Sequence, residues 1–218
     1  MARYVVGRLD MTRLGVASEQ NTLGADMAGA FATEARRLGA RVAFEKSLSR
    51  AEAWADLDRE VGEDVLAAVE AVYLPVTGRD APRYAADALR ALDALNRAPR
   101  PLGNTEWEGL SASTARATRL GAMFTQDFFV APGAADDFGR QYRALSGIGQ
   151  DRLSLIGYDI ARFLLRQVRS GETAALADAL RAAPQFDGVG HRFEFDGGQV
   201  NGALFVLGFR DGQAVLLE

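Results

Sequence analysis

Three short stretches gather the side chains best suited to gripping a small polar molecule. Residues 18–23 contain Ser18, Asn21 and Thr22, residues 76–79 contain Thr77, and residues 104–107 contain Thr105, Glu106 and Trp107. Hydroxyls, an amide and a carboxylate supply donors and acceptors for a polar or zwitterionic solute, and an indole supplies an apolar wall. Each residue also has a plainer use. Asn21 and Thr22 stand where a helix needs an N-cap, Thr105 can satisfy a turn, and Trp107 can fill a core or rim. Taken singly, local capping is the commoner role for such residues.

Other chemistries find little material. The chain has no cysteine, which excludes disulfides, thiol catalysis and Cys-ligated zinc. His191 is the sole histidine, which excludes a multi-His metal centre. No serine or acid can be tied to His191 from the sequence, so it reads as a surface or structural residue. Lys46, the one lysine, lies outside any Gly-rich phosphate loop, and neither a G-x-G-x-x-G after a strand nor a G-x-S-x-G elbow occurs. Asp136 and Asp137 fall in the first turn of an expected helix, where carboxylates suit the helix dipole better than they suit a metal. Glu106 and Glu108 imitate an acid/base pair, but two carboxylates of unknown separation carry little weight. No cofactor is expected. The net charge of −4 gives no electrostatic support for binding nucleic acid or an anionic membrane. No apolar run approaches the roughly 18 residues of a membrane span, and the opening MARYVVGRLD has no secretory h-region.

The elements that must position these stretches alternate. The apolar run 12–18 reads as a buried strand. Asn21-Thr22 then caps a helix with Leu23, Met27, Phe31, Ala35 and Leu38 on one face, and Gly39 supplies its stop. Residues 41–44 make a second strand. Helix is expected over 49–59, with Ser49 and Glu52 at capping-box spacing, and 64–70 continues as helix or loop. Residues 71–76 form a strand. Asp80 and Pro82 start the next helix, which Pro99 and Pro101 close before a short strand at 102–103. Residues 121–129 are a further strand candidate. Such alternation predicts an α/β fold, with a mainly parallel sheet flanked by helices. In sheets of that kind ligands bind beyond the carboxyl ends of the strands, where the three polar stretches fall. After Pro132 the pattern turns helical, over 134–145, 152–169 (stopped by Gly171) and 173–183. The tail 191–218, with its Asp-Gly turns, predicts an antiparallel hairpin or meander.

The order of these pieces resembles the second lobe of type I periplasmic binding proteins, in the leucine/isoleucine/valine-receptor branch. The opening ARYVVGRLDMTRLGVASEQNTLGADMAGAFATEARRLGARV resembles the start of that lobe. LGNTEWEGL at 102–110 resembles the loop after a later strand, GYDIARFLL at 157–165 a helix of the return crossing, and FEFDGGQVNGALFVLGFRDGQ the final hairpin. The resemblance implies a ligand-binding lobe over 1–150, crossing helices over 151–185, and a hairpin over 186–218 that completes the lobe. It further implies non-catalytic recognition of a small polar or amino-acid-like solute, a link to membrane transporter subunits and a periplasmic or extracytoplasmic location. A complete receptor of this kind has another lobe ahead of the region matched here. The family's ligand-gripping acid would fall near Thr105 or Glu106. Leu23 and Leu153 stand where amino-acid receptors often carry aromatics, which puts an amino-acid ligand in doubt.

Without a first lobe, Ile160, Phe163, Leu164 and Val168 on the crossing helix need another cover, since each large apolar side chain left exposed forgoes about 1.5–3 kcal/mol. The expected cover is the chain's own lobe or a second copy. Two other functions stay open: an envelope scaffold that uses this fold for protein contact, and an enzyme on a Rossmann-like sheet.

Overall fold

The computed structural model describes residues 1–49, 51–110, 113–169 and 176–217. A short helix, α1 (Ala2–Gly7), precedes β1 (Arg13–Glu19), α2 (Thr22–Arg37) and β2 (Arg41–Leu48). Three single-turn helices, α3 (Ala51–Ala55), α4 (Leu57–Val61) and α5 (Glu63–Ala67), lead to β3 (Ala71–Tyr73). Then come α6 (Ala81–Asp93), β4 (Arg100–Gly103), a 3-10 turn (Thr105–Gly109), α7 (Thr114–Arg119) and β5 (Met123–Gln126). Helices α8 (Asp136–Ser146), α9 (Arg152–Arg169) and α10 (Leu176–Ala182) follow, and then two hairpins. These are β6 (Phe186–Asp187) with β7 (Arg192–Phe193), and β8 (Phe205–Arg210) with β9 (Gln213–Leu216).

Seven strands form one sheet in the order β2-β1-β3-β4-β5-β8-β9. The pairs β1–β2, β1–β3, β3–β4 and β4–β5 are parallel, and β8–β9 is antiparallel. This is the expected fold class: a mainly parallel sheet flanked by helices with a closing antiparallel hairpin. β1 is buried along five consecutive residues, as a strand covered on both faces must be, whereas β2 alternates like an edge strand. The chain moves one way from β1 to β2 and the other way from β3 to β5. With right-handed crossovers, α2 therefore lies on one face of the sheet and α3 to α7 on the other. On the α2 face, Leu14, Val16, Phe31, Ala35, Tyr73, Leu102 and Val206 share one core, with Phe31 and Tyr73 stacked at 4.4 Å. Burial there pushes the Tyr73 hydroxyl up to about 12. On the opposite face Trp54 of α3 stacks on Tyr84 of α6 at 5.8 Å.

The chain divides into two compact units: Met1–Thr125 with Val206–Glu218, and Gln126–Phe205. The chain passes between the two units where it leaves β5 and where it re-enters the sheet at β8. In the second unit, Asp151 and Ser154 start α9 by mutual hydrogen bonds of 2.8 Å, and these hold the Asp151 carboxyl below its ordinary range. Asp159, fully buried on α9, accepts the backbone N–H groups of Val189, Gly190 and His191 at 2.7, 2.8 and 3.0 Å. Phe163 packs its ring against those of Phe186, Phe193 and Phe195.

Several local expectations need correcting. The helix expected over 49–59 breaks into α3 and α4 at Asp56, and its capping box adjoins residue 50, outside the described residues. Gly171 and the start of the 173–183 helix also lie outside them. Asp80 occupies the N-cap position of α6 but makes no side-chain cap bond. Leu23, placed on the apolar face of α2, is 58% exposed. The strand expected over 121–129 ends at Gln126, after which Phe128 makes only an isolated bridge to His191. Of the two Asp-Gly turns, Asp211-Gly212 joins β8 to β9 with both residues at positive φ, as a type I′ turn requires. Asp196-Gly197 also has positive φ, but it belongs to an irregular segment whose backbone is held by the Asn201 amide.

Candidate functional site

The first unit presents one edge where the carboxyl ends of β1, β3 and β4 meet. Because the chain turns outward from β1 to β2 and outward again from β3 to β4, the loops after β1 and β3 leave in opposite directions. A crevice opens at such a switch point, and in open α/β sheets that is where ligands sit.

Hydrogen bonds cross this switch point. Asn21 uses both ends of its amide: Oδ1 accepts the Gly24 N–H at 2.7 Å as the N-cap of α2, and Nδ2 donates to Thr77 Oγ1 at 2.9 Å. Thr77 in turn donates its backbone N–H and its hydroxyl to one oxygen of Glu19, Oε2, at 3.2 and 2.7 Å. Gly24 is required here, since a Cβ at that position would lie 2.6 Å from the Glu19 carbonyl oxygen. The relay runs from helix N-terminus through amide and hydroxyl to carboxylate, and it orients the Glu19 side chain at the end of β1.

The third stretch is built differently. Asn104 at the end of β4 is 4% exposed, and its Nδ2 donates to the Val76 carbonyl at 2.8 Å. That bond dictates which way the amide faces, because a flipped amide would set two acceptors against each other. Among the described residues Asn104 Oδ1 is then buried without a partner, as is Nε1 of Trp107. Trp107 is fully buried, its indole so close to Gly103 that a Cβ there would lie 2.2 Å from the ring.

The structure thus brings Asn21 and Thr77 together and puts Ser18, 6% exposed, at the end of the same strand as Glu19. Thr22, in the first turn of α2, and Thr105 and Glu106, on the 3-10 turn, are exposed. Trp107 takes the core role rather than that of a wall. Sequence reasoning passed over Glu19 and Asn104. The signal for Glu19 was a carboxylate closing a strand whose middle, 14–17, is apolar. For Asn104 it was an amide directly after the glycine that ends a strand. Among the described residues no group of three His, Asp or Glu side chains could hold a metal, and no helix is long and apolar enough to cross a membrane.

No family model matches the chain, and no curated protein matches it. Solved structures do. A candidate branched-chain amino acid ABC transporter protein from Rhodospirillum rubrum superposes with TM-score 0.69 at 24% identity over 99% of this chain. An ABC transporter substrate-binding protein from Desulfitobacterium hafniense, in complex with Leu, gives 0.62 at 17% over 99%. A solute-binding protein from R. palustris in complex with benzoate gives 0.58 at 16% over 99%. The fold is therefore that of ABC-transporter substrate-binding proteins. The chain spans 63%, 63% and 60% of those three proteins' lengths.

Proposed function

We propose that this chain is the second lobe, with the return helices and closing hairpin, of a solute receptor of the ABC-transporter type, and that it recognises a small polar solute without chemistry. The observation that carries this reading is the hydrogen-bonded relay across the switch point of a substrate-binding-protein fold. The ligand-binding lobe extends to about residue 150, followed by crossing helices to 185 and the hairpin beyond. Thr22, Thr105 and Glu106 face solvent and are the remaining polar contacts, while Ser18, Asn21 and Thr77 shape the floor. Solute binding closes this lobe on another, and the closed form engages membrane transporter subunits in an extracytoplasmic compartment. Similar folds bind leucine in one case and benzoate in another, so the fold leaves the solute open.

A second reading, a scaffold that contacts protein, draws on α9. Beside its buried side it carries Leu153, Ile160, Leu164 and Val168, exposed by 75, 41, 37 and 42%. This row, expected to lie under the chain's own lobe or a second copy, is in this reading the surface for an unlike protein partner. Phe163 is corrected: at 4% exposure it belongs to the interior of its own unit and cannot serve a dimer interface.

The solute reading is tested by amide chemical-shift mapping of the 218-residue chain with L-leucine and with benzoate. Shifts confined to 18–23, 76–79 and 103–107 are expected. Shifts that avoid all three stretches, or none at millimolar solute, would sink it.

A further inference from the structure

We infer that Glu19, rather than Glu106, grips the cationic group of the solute, and that the site selects ligands carrying an ammonium, amidinium or guanidinium. This rests on the solute-receptor reading and deepens it.

The relay uses one oxygen of the Glu19 carboxylate. Both bonds from Thr77 reach Glu19 through Oε2. Oε1 receives neither, while the side chain is held in place from the far end by Asn21 and the start of α2. A carboxylate pinned by one oxygen presents the other in a set direction, with its ordering entropy already spent in the free protein. Glu106 has no comparable support: it is exposed on a 3-10 turn, where its rotamers must be ordered on binding.

An independent observation points to a donor-rich ligand. Asn104 Oδ1 is a buried acceptor that meets no donor among the described residues, and such a group favours a donor from outside the chain. Its amide is anchored on the Val76 carbonyl, and the Glu19 carboxylate on the N–H and hydroxyl of Thr77. Two unspent acceptors therefore flank one dipeptide, 76–77, of the loop after β3. The three stretches hold two carboxylates, Glu19 and Glu106, against one cation, Arg79, which is exposed. A group with several N–H donors and a positive charge complements that arrangement; an anionic headgroup does not. Thr77 and Asn21 act through Glu19 and are positioning residues.

The test uses the whole chain and three probes of one shape: L-leucinamide (ammonium, no carboxylate), L-leucine (both) and isovalerate (carboxylate only). Chemical-shift titration should show leucinamide and leucine moving the amides of Gln20 and Thr77, with isovalerate leaving them in place. E19Q should weaken leucinamide at least tenfold, and E106Q should weaken it by a clearly smaller factor. T77V keeps the charge but removes the orienting hydroxyl; it should weaken leucinamide severalfold while amides of the first unit away from this edge keep their wild-type shifts, which a general loss of structure would not do. Equal leucinamide affinity in E19Q and wild type, or loss in E106Q alone, overturns the inference. Isovalerate binding at this edge as well as leucinamide also overturns it, while leaving the solute-receptor reading intact. If no probe moves any amide of the three stretches, both fall.

Discussion

The sheet edge of the first unit and helix α9 of the second handle their surplus groups in opposite ways. At the edge, polar side chains from loops far apart in sequence satisfy one another: Asn21, Thr77 and Glu19 span two strand-end loops in one relay. On α9 one side is buried, with Leu155, Asp159, Phe163 and Gln167, and its own unit supplies the partners of Asp159 and Phe163, while Leu153, Ile160, Leu164 and Val168 are exposed. Polar groups can be satisfied within a unit because a hydrogen bond needs only one well-placed partner. An apolar row needs a whole surface, and water is a poor substitute for one. The contrast separates what a unit completes by itself from what it presents to others.

The largest effects are expected in the two interiors. F163A should cost about 3–5 kcal/mol, the range for emptying a buried aromatic site, measured as a shift of the urea midpoint for the second unit. An effect below about 1 kcal/mol would mean that the aromatic cluster is not a core. D159A should be nearly as damaging, about 3 kcal/mol, because three backbone N–H groups would lose their acceptor together. Amide exchange at Val189, Gly190 and His191 would report the loss locally. In the first unit, G103A forces the Trp107 indole to move and should cost about 1–3 kcal/mol with a change in tryptophan emission.

The exposed side of α9 should behave otherwise. I160S with L164S should change stability by no more than about 0.5 kcal/mol per site, measured as a shift of the urea midpoint. A loss of several kcal/mol would show that the row is covered after all.

The smallest effect is electrostatic. Hydrogen bonds from Arg37 and Arg3 hold the Glu34 carboxyl down at about 2, against an ordinary 4.5. A carboxyl whose folded pKa is depressed stabilises the native state above its unfolded value, and that contribution disappears as pH falls from about 4.5 to about 2. Because Glu34 is partly solvated and its arginines are exposed, the effect is a modest flattening of the acid limb in E34Q. A carbon-detected titration of Glu34 showing a midpoint near 4.5 would contradict the ion-pair geometry.

Much of the first unit was legible in the sequence because its signals are local. The apolar run at 12–18 reads as a buried strand, which β1 is, and Asn21 announced its cap by position and type. The breaks at Asp56 and the exposure of Leu23 were not legible, since both depend on where the core surface ends. The candidate site was legible as three strand-end stretches and no further. Asn21 and Thr77 lie 56 residues apart, and nothing in either stretch announces the other. Trp107 carried two readings, wall and core, and only the close approach of Gly103 decided between them.

The amino-acid sequence by itself determined the alternation of strand and helix, the strand-end positions of the polar groups and the absence of thiol or multi-histidine chemistry, because these follow from residue type and near-neighbour spacing. Tertiary structure alone decided that Glu19 is held through one oxygen, that Asn104 keeps a buried acceptor unspent, and that Phe163 and Ile160, three residues apart on one helix, have opposite surroundings. Each of those outcomes depends on which distant segment arrives alongside. Hydrogen bonds and packing act across space, and the chain reveals that neighbourhood only once it has folded.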